Sequence, residues 1–201
     1  MKFLSAVIFA ILTLSFGSNA WSQDKQALPP SLEEMRQGGN IIFFRHAITD
    51  HKQMDMDEVD LADCSTQRNL SEEGRAQSLS IGKAIRDQEI PVGEVLSSPF
   101  CRCMDTAKLA FGAAEPSDFL YYAIGLKKAQ KEIVTKSLQN LLSSPVPEGT
   151  NRVIVSHTGN LREAAGIWPK PEGVAWVFRP GEKGQFETLG KINPQDWAKL
   201  Q

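Results

Sequence analysis

The sequence predicts a three-layer α/β sandwich, a mostly parallel sheet with helices on both faces. Three observations predict it. Ile41-Ile42-Phe43-Phe44 and Val153-Ile154-Val155 are apolar runs without polar interruption, which fit strands buried on both sides. Segments with helix-start chemistry alternate with such runs, the pattern of layered α/β domains. Each run also leads directly to a histidine, His46 and His157, at the strand end where ligands of these sheets bind.

Taken from its start, the chain opens with a processing signal. Met1-Lys2 is positive, Phe3 to Gly17 is apolar, and Ser18-Asn19-Ala20 offers small residues for cleavage after Ala20. An uncleaved anchor is the alternative, but a spanning helix needs roughly 20 apolar residues. No cysteine adjoins the cleavage point for lipid attachment. Residues 1–20 are therefore expected to be a signal peptide and 21–201 a single domain large enough to bury a core. The expected location is the periplasm or the exterior, with no membrane association after cleavage. Loss of Lys2 leaves 21 basic against 24 acidic residues, a formal charge of −3. Nothing in that balance points to nucleic acid or an anionic membrane as a partner, since both call for basic patches.

Trp21 to Pro30 reads as a polar leader. Ser31-Leu32-Glu33-Glu34 is a helix start, with an N-cap serine and carboxylates in the first turn, stopped by Gly38-Gly39. The first strand follows and ends at Arg45-His46. A polar stretch to Cys64 begins at the proposed site and is expected to wall it. Ser71-Glu72-Glu73-Gly74 caps a second helix running to about Asp87. Val95-Leu96-Ser97-Ser98 is the second parallel strand, Cys103 to Phe111 a helix closed by Gly112, and Phe119 to Tyr122 another strand. Lys128 to Leu142 carries Val134, Leu138 and Leu141 at helical spacing, a core-facing stripe. Asn160 to Gly166 is a short helix after the second histidine. Val174 to Phe178 and Phe186 to Leu189 flank a Pro-Gly turn and form a closing hairpin.

The chemistry lies at the strand ends. His46 and His157 end two strands, Arg45 adjoins the first, and Ser98-Pro99-Phe100-Cys101-Arg102 carries a second arginine past a third. Guanidinium holds phosphate with a rigid fork of donors, and neutral imidazole is a nucleophile or a base. Together these suit phosphoryl transfer through a phosphohistidine. The competing reading of paired histidines is a metal site. Two arginines would repel a divalent cation, and neither histidine motif has a carboxylate at ligand spacing. No metal and no cofactor are expected. Of Cys64, Cys101 and Cys103, two can pair in an oxidising compartment, with three free thiols as the alternative.

These residues resemble the histidine phosphatase superfamily, the phosphoglycerate mutase-like fold. Arg45-His46-Ala47 is similar to its opening Arg-His-Gly motif, with alanine in the third place. Ser98 to Arg102 with Thr106-Ala107 resembles its second motif, and Ser156-His157-Thr158-Gly159-Asn160 its third. Asn69 to Gly74 matches a familiar helix entry. The resemblance implies that His46 is the phosphorylated nucleophile, with Arg45, Arg102 and His157 around the phosphate. It also implies phosphate-binding roles for Thr49, Ser98 and Asn160. The acid that protonates the leaving alcohol has no matching motif. Asp50 is the first choice by its closeness to the nucleophile, ahead of Glu172, Glu115, Asp118 and Glu132. Cys103 takes a place where the family has a small alanine, which favours a Cys64–Cys101 disulfide.

The expected activity is an exported phosphatase that acts without metal on small phosphorylated substrates, namely phosphomonoesters. A phosphomutase, or a phosphate-binding member without turnover, is the alternative.

Overall fold

Strand β1 (Ile41–Arg45) is the axis of the architecture. Its side chains alternate across the pleat, so Ile42 and Phe44 enter one apolar cluster and Ile41 and Phe43 the other. All four are at most 1% exposed. A strand apolar at every position needs cover on both faces, and the chain supplies it. The computed structural model describes residues 29–201; the expected signal segment, its cleavage point and most of the polar leader lie outside the described residues.

The sheet has six strands in the order β3-β2-β4-β1-β5-β6. These are β2 (Val92–Ser97), β3 (Glu115–Pro116), β4 (Asn151–Ser156), β5 (Ala175–Pro180) and β6 (Phe186–Ile192). The first four in that order run parallel, whereas β5 is antiparallel to both β1 and β6. Helices α1 (Leu32–Gln37), α2 (Glu72–Asp87) and α3 (Cys101–Phe111) cover one face through Met35, Ile81, Ile85 and Ala107. Helices α4 (Lys128–Ser143) and α5 (Thr158–Ala165) cover the other through Leu138, Leu142 and Leu161. The expected three-layer αβα sandwich with a mostly parallel sheet is the fold observed.

The helix starts follow local chemistry. Ser31 and Glu34 form a reciprocal capping box on α1, and the Ser71 side chain accepts from the Gly74 amide at the start of α2. Gly112 and Gly166, both left-handed, close α3 and α5.

Four expectations shift. Phe119 to Tyr122 is not a strand: Asp118–Leu120 is a 3-10 turn, followed by a loop. The rings of the consecutive residues Tyr121 and Tyr122 both pack on Phe100, at 5.1 and 6.1 Å. A pleated strand, which sends successive side chains to opposite faces, does not allow that. The parallel edge strand is instead Glu115–Pro116, just upstream. Helix α3 begins at Cys101 rather than Cys103, which places Arg102 in its first turn. Helix α5 begins at Thr158, directly after His157. In α4 the fully buried stripe is Val134, Leu138 and Leu142, with Leu141 partly buried beside it.

Helices α2 and α3 meet at a glycine. A Cβ on Gly82 would lie 2.0 Å from the Ala110 carbonyl oxygen, so any side chain there pushes the helices apart. Gly82→Ala is expected to lower unfolding stability by about 1–3 kcal/mol, despite alanine's better helix propensity. A denaturant titration with an unchanged midpoint would contradict this close approach.

Candidate active site

Strand register brings the two histidines together. Arg45 of β1 pairs with Ser156 of β4, so His46 and His157 each stand one residue past the same edge. Their rings meet edge-on with centroids 5.6 Å apart, and both residues are at most 3% exposed. On the far side of β4, Ser97 of β2 pairs with Val155. That sets Ser98 level with Ser156 and Arg45, one position short of the histidines, and its hydroxyl lies 2.8 Å from His157 Nε2. His46 Nδ1 lies 2.9 Å from the Ala47 carbonyl oxygen. A carbonyl only accepts, so Nδ1 carries the proton and Nε2 keeps its lone pair for chemistry.

Thr106 joins the first two motifs. Its hydroxyl accepts from the Ala47 amide at 3.0 Å and donates to the Arg102 carbonyl at 2.7 Å. Gly74 serves the same end of the sheet. A Cβ there would fall 1.9 Å from the Ile48 carbonyl oxygen, so only glycine lets α2 abut the chain leaving His46.

Three guanidinium groups surround the imidazoles. Arg102 is 1% exposed. Its Nη1 donates to Asp55 at 2.8 Å and to the Arg68 carbonyl at 3.3 Å, and its plane lies 4.5 Å from the Phe100 ring centre. Arg45 donates to Glu172 at 3.0 Å and to the Pro169 carbonyl at 3.4 Å. Arg68 adds a third positive charge whose field reaches His46, His157 and Arg45. The Nε atoms of Arg45, Arg68 and Arg102 are all buried without an acceptor among the described residues. Buried donors left unpaired are costly, and three such guanidinium groups near two imidazoles form a cationic cluster that suits an anion.

Electrostatics fixes the protonation of the imidazoles. Burial, followed by the nearby Arg102 charge, holds His46 and His157 well below the ordinary histidine range, so both are neutral. Cys103 Sγ lies 3.6 Å from His157 Nε2, and burial pushes its thiol up to about 12. Among the described residues no three His, Cys, Asp or Glu side chains form a group able to hold a metal ion.

The other residues expected at the site fall as follows. Thr49 is buried, but its amide and hydroxyl both donate to Glu172, at 3.2 and 3.1 Å. Asn160 is spent on the loop before α4, accepting from the Ala123 amide and donating to the Tyr121 carbonyl. Asp50 turns into its own loop, where it accepts from the Lys52 amide at 2.9 Å and from Gln53 at 3.3 Å. Glu172 is brought in because its loop folds back on β1, the Gly173 amide donating to the His46 carbonyl at 2.9 Å. Glu115 and Pro116 form the edge strand, and Glu132 pairs with Lys128 on the outer surface of α4.

Two residues were not foreseen. Asp55 and Arg68 lie on the 46–71 loop, with Asp55 Oδ1 accepting from both Arg102 and the Arg68 amide. The Cys64–Cys101 disulfide and a hydrogen bond from the Cys101 amide to Gln67 tie this loop to the start of α3. Cys103 is free and buried. The one sequence signal for Arg68 is a lone cation three residues before the α2 cap; Asp55 has none that sets it apart from Asp57, Asp60 or Asp63.

Comparison with known proteins agrees with this fold. Residues 41–119 match the model of the histidine phosphatase superfamily (branch 1). The fold is similar to the protein histidine phosphatase SixA complexed with tungstate, at 18% identity and a TM-score of 0.53, over 78% of this chain and 98% of that one. It is also similar to a putative alpha-ribazole-5'-P phosphatase from Escherichia coli, at 12% identity and a TM-score of 0.58, with the same coverages. A mycobacterial glucosyl-3-phosphoglycerate phosphatase matches at 16% identity and a TM-score of 0.53, over 75% of this chain and 97% of that one. No curated protein sequence matches the chain.

The neutral imidazoles carry a pH signature. Folding depresses both pKa values, so below about 6.5 the unfolded chain binds protons that the folded one refuses. Stability of the ligand-free protein is expected to fall as pH drops below that point, by at most about 1.4 kcal/mol per pH unit for each imidazole. Denaturation midpoints between pH 7 and 5 test this, and His157→Gln should flatten the slope.

Proposed function

We propose that this chain, which carries the motifs of the histidine phosphatase superfamily on that superfamily's fold, is an exported phosphatase. It hydrolyses phosphomonoesters through a phosphohistidine and needs no metal. The observation that carries the reading is the pair of neutral imidazoles among three arginines with unpaired buried Nε donors. A phosphate is the anion that such donors suit best, because guanidinium matches its oxygens in geometry as well as charge. Export rests on the apolar, positively led start of the sequence and on the disulfide, which an oxidising compartment favours.

The chemistry follows from the donors. Phosphate oxygens accept from Arg45, Arg68 and Arg102, which offset the charge that spreads over them in the transition state. His46 Nε2 attacks phosphorus while the bond to the alcohol oxygen breaks. Nδ1, held on the Ala47 carbonyl, keeps the ring aimed. Ser98 orients His157 at the other side of the phosphate. Water then attacks the phosphohistidine, releasing inorganic phosphate and restoring the imidazole.

Asp55 is the better proton donor for the leaving alcohol. Both oxygens of Glu172 already accept hydrogen bonds, from Arg45 and Thr49, and the Asp50 oxygens serve their own turn. Asp55 is held by Oδ1 alone, and its side chain is 27% exposed beside Arg102. Oδ2 makes no hydrogen bond among the described residues and is the oxygen left to face the leaving group.

His46→Ala is expected to abolish turnover of 4-nitrophenyl phosphate while the thermal melt stays cooperative. Retention of most activity would remove the phosphohistidine. Turnover should persist with a chelator present; loss restored by a divalent metal would refute metal independence. Arg68→Ala should lower kcat/KM by roughly 10²–10³-fold, the cost of removing one transition-state donor. Asp55→Asn keeps the acceptor for Arg102, so it should slow an alkyl phosphate by about 10²-fold or more and spare the nitrophenyl ester, whose leaving group needs little protonation. Asp50→Asn should leave both rates unchanged.

A further inference from the structure

The exposed apolar side chains are not scattered. Seven large ones are exposed among the described residues, and five of them, Met54, Met56, Phe119, Ile124 and Trp168, sit on the three loops around the crevice. Met54 and Met56 flank Asp55, which holds Arg102. Trp168 adjoins Pro169, whose carbonyl accepts from Arg45. Ile124 lies over the first turn of α5, where a Cβ on Gly159 would fall 2.7 Å from its Cγ1, two residues from His157. An apolar rim on a monomeric protein marks a binding surface more often than chance.

One part of that rim continues into a groove. Phe119, Tyr121, Leu126, Ile133 and Val134, together with Asp118 and Gln130, line an open cavity of about 380 Å³ between the 117–127 loop and α4. An aromatic path joins it to the crevice. His46 meets His157 at 5.6 Å, His157 meets Phe100 at 5.2 Å, and Phe100 meets Tyr121 at 5.1 Å. Tyr121 thus faces Phe100 on one side and lines the groove on the other. Ile133 is 56% exposed on α4, a position that carries no packing load in the chain as it stands.

We propose that the substrate is an amphiphile: a phosphomonoester whose phosphate sits in the arginine crevice and whose hydrocarbon chain lies along Tyr121 into the groove lined by Leu126 and Ile133. The inference rests on the phosphate reading of the crevice. Charge and polarity assign the occupant, since one end of the path is cationic with unpaired donors and the other is lined mostly by apolar side chains. Binding energy gained by the remote chain is available to orient the phosphate against His46.

The test uses binding, so it does not depend on turnover. Dissociation constants of ethylphosphonate and octylphosphonate for the full chain are measured by calorimetry below the micellar concentration. A chain that buries its methylenes gains about 0.8 kcal/mol for each, so even partial burial predicts octylphosphonate to be on the order of 30-fold tighter or more. Ile133→Glu and Phe119→Ser, both at exposed positions, should erase most of that gain and leave ethylphosphonate binding unchanged. Equal affinity for the two ligands would overturn the proposal. So would a chain-length gain that survives both substitutions, because the hydrocarbon would then lie elsewhere. Failure of both ligands to bind would instead refute the crevice reading, and this inference with it; ethylphosphonate bound alone leaves the crevice standing and removes the groove.

Discussion

A buried arginine sets the terms for the site. Arg102 has 1% of its surface exposed, and a charge so enclosed persists only where neighbours replace its water. The surrounding chain is arranged to do so. Asp55 and the Arg68 carbonyl come from one loop, Phe100 supplies an aromatic face, and Thr106 holds the arginine's own carbonyl. The same enclosed charge, after burial itself, keeps both imidazoles unprotonated. The neutral form of His46 is therefore a consequence of where Arg102 is held, and not only of the histidine's own burial.

This dependence runs through elements far apart in the chain. Strand register between β1 and β4 levels the histidines, β2 delivers Ser98 to the same edge, and α3 starts early enough to carry Arg102 in its first turn. Loops then close the crevice with carboxylates matched to arginines, Glu172 on Arg45 and Asp55 on Arg102. Arg68 has no such partner among the described residues, which leaves the crevice with surplus positive charge on a chain that is acidic as a whole.

Legibility in the sequence followed the physics of each element. Ile41–Phe44 and Val153–Val155 read correctly because a strand buried on two faces leaves an unbroken apolar run. His46, His157, Arg45 and Arg102 were visible because strand ends and a helix start carry them at fixed offsets. Ser71 and Gly74 were visible because capping is local. Asp55, by contrast, reaches Arg102 across 47 positions through an irregular loop, and no periodicity encodes that path. Asp50 attracted attention through adjacency alone, yet its amide bonds the Asn69 carbonyl and its carboxylate closes a local turn. Tyr121 and Tyr122 carry strand-like side chains, but both are drawn to Phe100, and that tertiary demand overrides propensity.

The third cysteine bears on how the bridge between Cys64 and Cys101 endures. Reshuffling needs a thiolate to attack a sulfur of the existing bond. Cys103, two residues from Cys101, is the obvious attacker, but its side chain is fully buried and held as a thiol with its pKa near 12. In the folded molecule the cross-link is thus shielded from internal exchange by desolvation of its nearest rival.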